Sequence, residues 1–106
     1  MTDQTLEITV SEYVSSWRGN GTQLVDVRER EEWDEGHIAG ATLIPLSELE
    51  ARRSELDPRQ SIAIVCRSGR RSLLAAEYLR AMGYRRAVSV AGGMLDWVQA
   101  GLPVER

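Results

Sequence analysis

The segment Cys66-Arg67-Ser68-Gly69-Arg70-Arg71 sets the chain's only cysteine against three arginines within six residues. A thiolate, not a thiol, is the nucleophile at such a centre. Residues 61–65 form a continuous apolar run of strand length, and residues 72–82 read as a helix, so Cys66 stands between a strand's end and a helix's start. A sulfur placed there faces the unpaired N–H groups and the positive dipole end of the helix, both of which stabilise negative charge. Arg67, Arg70 and Arg71 add full charges on the same loop. Together these lower a cysteine pKa from its reference of about 8.5 toward neutrality. Gly69 gives the backbone freedom to turn successive N–H groups inward as an anion-holding nest.

With one cysteine there is no internal disulfide, no CxxC redox pair and no cysteine-based zinc cluster. The thiol is therefore either buried and inert or exposed and reactive, and the arginines favour the second. A cycle that loads and unloads one sulfur without a resolving thiol suits the transfer of sulfur itself. Attack on a sulfane-sulfur donor would give Cys66-S-S⁻, the N–H cradle would hold the terminal sulfur, and a nucleophilic acceptor would remove it.

The run from Cys66 through Ser72 resembles the active-site loop of single-domain rhodaneses. So do Leu24-Val25-Asp26-Val27-Arg28, Glu32-Trp33, residues 36–41, Pro45, Gly92-Gly93, Trp97, Gly101, Leu102 and Pro103, in the same order. The resemblance implies a single rhodanese-like domain over residues 1–106, α/β, with a mostly parallel central sheet of about five strands flanked by helices. It implies a sulfurtransferase of the thiosulfate:cyanide type, needing no cofactor or metal, in which Cys66 bears the persulfide. Arg67, Ser68, Gly69, Arg70 and Arg71 then form the substrate loop, with Arg67 and Arg71 the side chains expected to meet an anionic donor. The donor could be thiosulfate, a polysulfide or glutathione persulfide, and the acceptor cyanide or another thiophile. A partner-delivered or non-catalytic sulfur-relay module is the alternative. A cysteine phosphatase or arsenate reductase is a weaker one, because its arginine would fall where this chain has Ser72, one residue beyond Arg71.

The elements that must position this loop can be read from pattern. A short edge strand is expected over residues 7–10, with Ser11 capping a helix over 12–18. Residues 23–27 read as a strand that gives way to a charged run over 28–35. A tight connection follows over 36–40, then a strand over 41–44 closed by Pro45. Ser47 and Glu50 fit a capping box, giving a helix over 48–56 stopped by Asp57-Pro58. The last strand is expected over 87–90 and the last helix over 94–100. Strands alternating with helices predict a parallel α/β sheet, and ligands of such sheets bind at the strands' carboxyl ends. His37 is expected to shape the rim, Asp26 and Arg28 to brace the loop, and Arg28 to pair with Glu32. The three tryptophans, with Met82 and Met94, read as packing residues.

At 106 residues, 42% hydrophobic and 27% charged, the chain has the balance of one globular domain. Its formal charge of −3 argues against nucleic acid or acidic membrane as partner, whereas the local arginine cluster suits a small anion. Residues 1–10 carry no targeting pattern and no stretch is long enough to span a membrane, so a cytoplasmic, soluble protein is expected. Short edge strands and an acidic exterior point to a monomer.

Overall fold

The computed structural model describes residues 5–106. The expected absence of a targeting segment falls partly on residues 1–4, which lie outside that range. Strands β1 (Glu7–Ile8), β2 (Gln23–Asp26), β3 (Thr42–Leu43), β4 (Ile62–Val65) and β5 (Ala87–Val90) form one sheet. Its order is β1-β5-β4-β2-β3, and all neighbours run parallel. Asp26 pairs in register with Val65, and Ser89 with Ile64, so the carboxyl ends of the three central strands lie side by side next to Cys66.

Both faces of the sheet are covered, which is why β4 is apolar throughout. On one face Val25, Ile62, Ile64 and Ala87 pack with Ala75, Ala76 and Leu79 of helix α4 (Arg70–Ala81) and Leu49 of α3 (Leu49–Arg52). On the other, Leu24, Ala63, Val65, Val88 and Val90 pack with Val10 of α1 (Val10–Glu12), Tyr13 of the π-helical turn that follows it, and Met94 and Trp97 of α5 (Gly93–Gln99). Each large apolar side chain fully buried in this way stabilises the fold by roughly 1.5–3 kcal/mol.

Several local expectations need correction. β1 stops at Ile8, and Thr9 rather than Ser11 caps the helix: its Oγ1 accepts from Glu12 N at 3.0 Å while its own N–H donates to Glu12 Oε1 at 2.8 Å. The charged run contains a helix, α2 (Arg30–Glu35), whose start is fixed by Glu29 N–H donating to the Glu32 carboxylate. The Ser47–Glu50 capping box does not form. Pro45 instead leads into a 3-10 turn, Leu46–Glu48, closed by Glu48 N donating to Pro45 O at 2.7 Å, and α3 is a short α segment between that turn and a second one, Arg53–Glu55. Met82, just past the end of α4, is not a packing residue, because it is exposed, whereas Met94 is buried. Among the described residues no helix is long and apolar enough to cross a membrane.

Candidate active site

Cys66 leaves β4 at the centre of the sheet, and α4 begins four residues later at Arg70. Gly69 makes the turn with a φ of 107°, a left-handed conformation that other residues adopt at a cost. The turn folds the loop back over the sulfur, so Gly69 N–H donates to Sγ at 3.1 Å and Ser72 N–H, in the first turn of α4, donates at 3.3 Å. The Ser72 hydroxyl lies 3.4 Å from the same sulfur. Burial pushes the thiol pKa up, but the Ser72 hydroxyl and the N–H groups of Ser72, Gly69 and Ser68 outweigh it, and the net position is below the ordinary thiol value.

The choice between a buried inert thiol and an exposed reactive one does not describe this site. Cys66 is 1% exposed and yet its ionisation is favoured. The sulfur lies at the base of the loop rather than at its mouth, and N–H groups supply the stabilisation that water would give elsewhere.

The arginines divide into two kinds. Arg71 grips Glu32 of α2 with two contacts, Nη1 to Oε1 at 2.7 Å and Nη2 to Oε2 at 2.9 Å. That contact holds the Glu32 carboxyl down at about 2. Arg67 and Arg70 are exposed. Among the described residues neither side chain has an ion-pair or hydrogen-bond partner, so they are the uncompensated cations of the mouth. The pairing of Arg28 with Glu32 is therefore corrected. Arg28 reaches only the main-chain O of Glu32, at 3.3 Å, and its ion pair is with Asp26 at 2.8 Å, where both side chains are nearly solvent-free. A further bond from Arg28 Nη2 to Gly36 O, 2.8 Å, ties the end of β2 to the end of α2, so this pair braces α2 rather than the cysteine loop.

The loop is held from its far side by α5. Met94 N–H donates to Cys66 O at 2.8 Å and Leu95 N–H to Arg67 O at 3.0 Å, which aims the carbonyls of the loop away from the sulfur. Gly93 makes this approach possible, since a Cβ there would lie 2.3 Å from Cys66 O. His37 takes a structural role. Its ring stacks on Trp33 with centroids 3.7 Å apart, its Nδ1 meets Trp33 O, and its backbone bridges to Glu105. Trp97 is core, as expected, and its indole N–H donates to Pro103 O.

Glu32 was named in the sequence reading, as a partner for Arg28 and within the family-like Glu32-Trp33 pair, but its true partner, Arg71, lies on another helix. One member of this constellation was not singled out by sequence. Ser89 is fully buried and its hydroxyl lies 2.7 Å from that of Ser72. A lone hydroxyl in the otherwise apolar strand Ala87–Val90 was the signal that could have found it.

The family model described as "Rhodanese-like domain" matches residues 10–100. A Bacillus subtilis relative, "Putative sulfur carrier protein YrkF", is 45% identical over 74 residues, 70% of this chain and 40% of that one, so the chain spans less than half the length of this relative. A "Sulfurtransferase" of Allochromatium vinosum is 38% identical over 81 residues, 76% of each chain. Among solved structures, a rhodanese-related protein of Thermoplasma volcanium superposes with a TM-score of 0.85 at 32% identity, covering 93% of this chain and 96% of that one.

Proposed function

Because the chain belongs to the rhodanese-like domain family, we propose that it is a sulfurtransferase that carries sulfane sulfur on Cys66. At family level the likeness supports a role in sulfur transfer. The observation that carries the finer reading is the Cys66 sulfur held by two N–H groups and a hydroxyl, with its pKa lowered. With thiosulfate as donor, the thiolate attacks the outer sulfur. The S–S bond of thiosulfate breaks, sulfite leaves with the electron pair, and Cys66-S-S⁻ remains. Cyanide then attacks the terminal sulfur, forms thiocyanate and returns the thiolate.

Arg67 and Arg70 are the side chains best placed to draw an anionic donor to the mouth, and Arg71 acts through Glu32 to fix the start of α4. A sulfur-relay role, in which another protein delivers or takes the sulfur, is a second reading, favoured by the sulfur-carrier name of the Bacillus relative. A phosphatase reading is disfavoured: Ser72 stands at the chain position where such an enzyme's loop would carry its arginine, and Arg71 is committed to Glu32.

Mass spectrometry tests the central claim. After incubation with thiosulfate, Cys66 should gain one sulfur atom that cyanide removes, and Cys66→Ala should gain none. An unchanged mass with every sulfane donor offered, or turnover retained by Cys66→Ala, would overturn the mechanism. Hydrolysis of an aryl phosphate at a useful rate would favour the phosphatase instead.

A further inference from the structure

Behind the reactive sulfur lies a short chain of buried hydroxyls. Cys66 Sγ is 3.4 Å from Ser72 Oγ, and Ser72 Oγ is 2.7 Å from Ser89 Oγ. Ser72 and Ser89 are both fully buried, on α4 and β5 respectively. Among the described residues the Ser89 hydroxyl has no hydrogen-bond partner other than Ser72. Two contacts thus join three groups, and two contacts place two protons. If Cys66 is a thiol, the chain holds three protons, and one buried donor is left without an acceptor whichever way the bonds run. If Cys66 is a thiolate, Ser89 donates to Ser72, Ser72 donates to the sulfur, and every proton is placed.

Ser89 has a second effect. A donor into Ser72 Oγ fixes the direction of that hydroxyl and strengthens the bond Ser72 makes onward.

We propose that Ser89 is a positioning residue for the reactive sulfur: acting through Ser72, it keeps a hydroxyl aimed at Cys66 Sγ and so favours the thiolate. The inference rests on Cys66 being the working nucleophile. On ionisation the thiol proton leaves to solvent, and the two hydroxyls only reorient. The charged groups around Cys66 are Arg67, Arg70 and Arg71 on its own loop and helix, Glu32 opposite Arg71 on α2, the Asp26–Arg28 pair at the end of β2, and Asp96 in the first turn of α5. From β5 the group presented to Ser72 is an uncharged hydroxyl, so Ser89→Ala alters no charge.

The test is a pH titration of the thiolate's ultraviolet absorbance, with Cys66→Ala as the blank. The single cysteine makes the signal unambiguous. Ser89→Ala should move the inflection to higher pH, by an amount equal to about a two- to fivefold loss in the ionisation constant. The same change made in a Ser72→Ala background should move it no further, and Ser89→Thr, which keeps the hydroxyl, should restore it. An unmoved inflection in Ser89→Ala, or an equal shift with Ser72 already removed, overturns the proposal. Should Ser89→Ala fail to fold, Ser89→Val, which keeps the outline of threonine without the hydroxyl, takes its place, and an unmoved inflection in Ser72→Ala is equally fatal. The titration is made on the cargo-free thiol and needs no sulfur donor, so its outcome and that of the persulfide experiment are independent.

Discussion

At the scale of single residues, the three arginines of the loop are not equivalent, and kinetics should separate them. Arg67→Ala removes an unpaired exposed charge. It should raise KM for thiosulfate about three- to tenfold, more at low salt, with thermal stability essentially unchanged. Arg71→Ala removes a two-point contact and should lower stability by about 0.5–1 kcal/mol, since the pair is partly exposed, while its effect on KM is smaller. Steady-state kinetics with thermal melts of both variants check this, and the reverse pattern would mean that Arg71 leaves Glu32 to meet the donor. The cysteine and its cradle were legible in the sequence because they are contiguous there, residues 66–72. What was not legible was the allegiance of Arg71 and the presence of Ser89, since both depend on which other elements the fold brings alongside the loop.

At the scale of elements, the cysteine loop keeps its shape because α5 docks its first N–H groups on the loop's carbonyls. Gly93 sits at the point of closest approach with a φ of 52°. Gly93→Ala should cost about 2–4 kcal/mol, because the new methyl group meets the backbone of Cys66 and Arg67 and no flexible side chain can yield. Gly101→Ala is the control, with a similar positive φ but open space around its Cβ, and should cost only about 1–2 kcal/mol. Urea denaturation of the two variants gives the comparison, and near-equal losses would refute the packing argument. The buried strands and the long helix were readable because their apolar patterns are long and unbroken. Helix α2 was not, because its six residues are nearly all charged and its start is held by glutamates rather than by a Ser, Thr, Asp or Asn cap. The caps at Ser11 and Ser47 were misplaced for a related reason. Ser, Thr and Glu stand at compatible spacings near both sites, and the backbone path decides that Thr9 caps the first and that no side chain caps the second.

At the scale of the whole molecule, the ion pair between α2 and α4 should appear in the pH dependence of stability. The hydrogen bonds from Arg71 hold the Glu32 carboxyl at about 2, below its unfolded value, so folding favours the ionised form. The contribution is fully present above the ordinary carboxylate range and is lost as pH falls through about 2. The difference in stability between the native chain and Glu32→Gln should therefore be constant from neutral pH to about pH 5, then shrink below it. Because the pair is partly exposed, the difference should be about 1 kcal/mol or less and smaller in high salt. Melting curves across that range measure it, and a difference that grows on acidification would contradict the assignment. A mostly parallel sheet was anticipated by the alternation of strand and helix, and two-sided burial of its centre by the apolar run over 61–65; the sheet is parallel throughout.

The sheet itself ends in two strands of only two residues each, Glu7–Ile8 and Thr42–Leu43. So little free edge gives a neighbouring chain almost no ladder to extend. The fold can therefore work as a portable unit. Set beside other folded segments on one polypeptide, or crowded among copies of itself, it offers them its cysteine loop without inviting their strands to join its own.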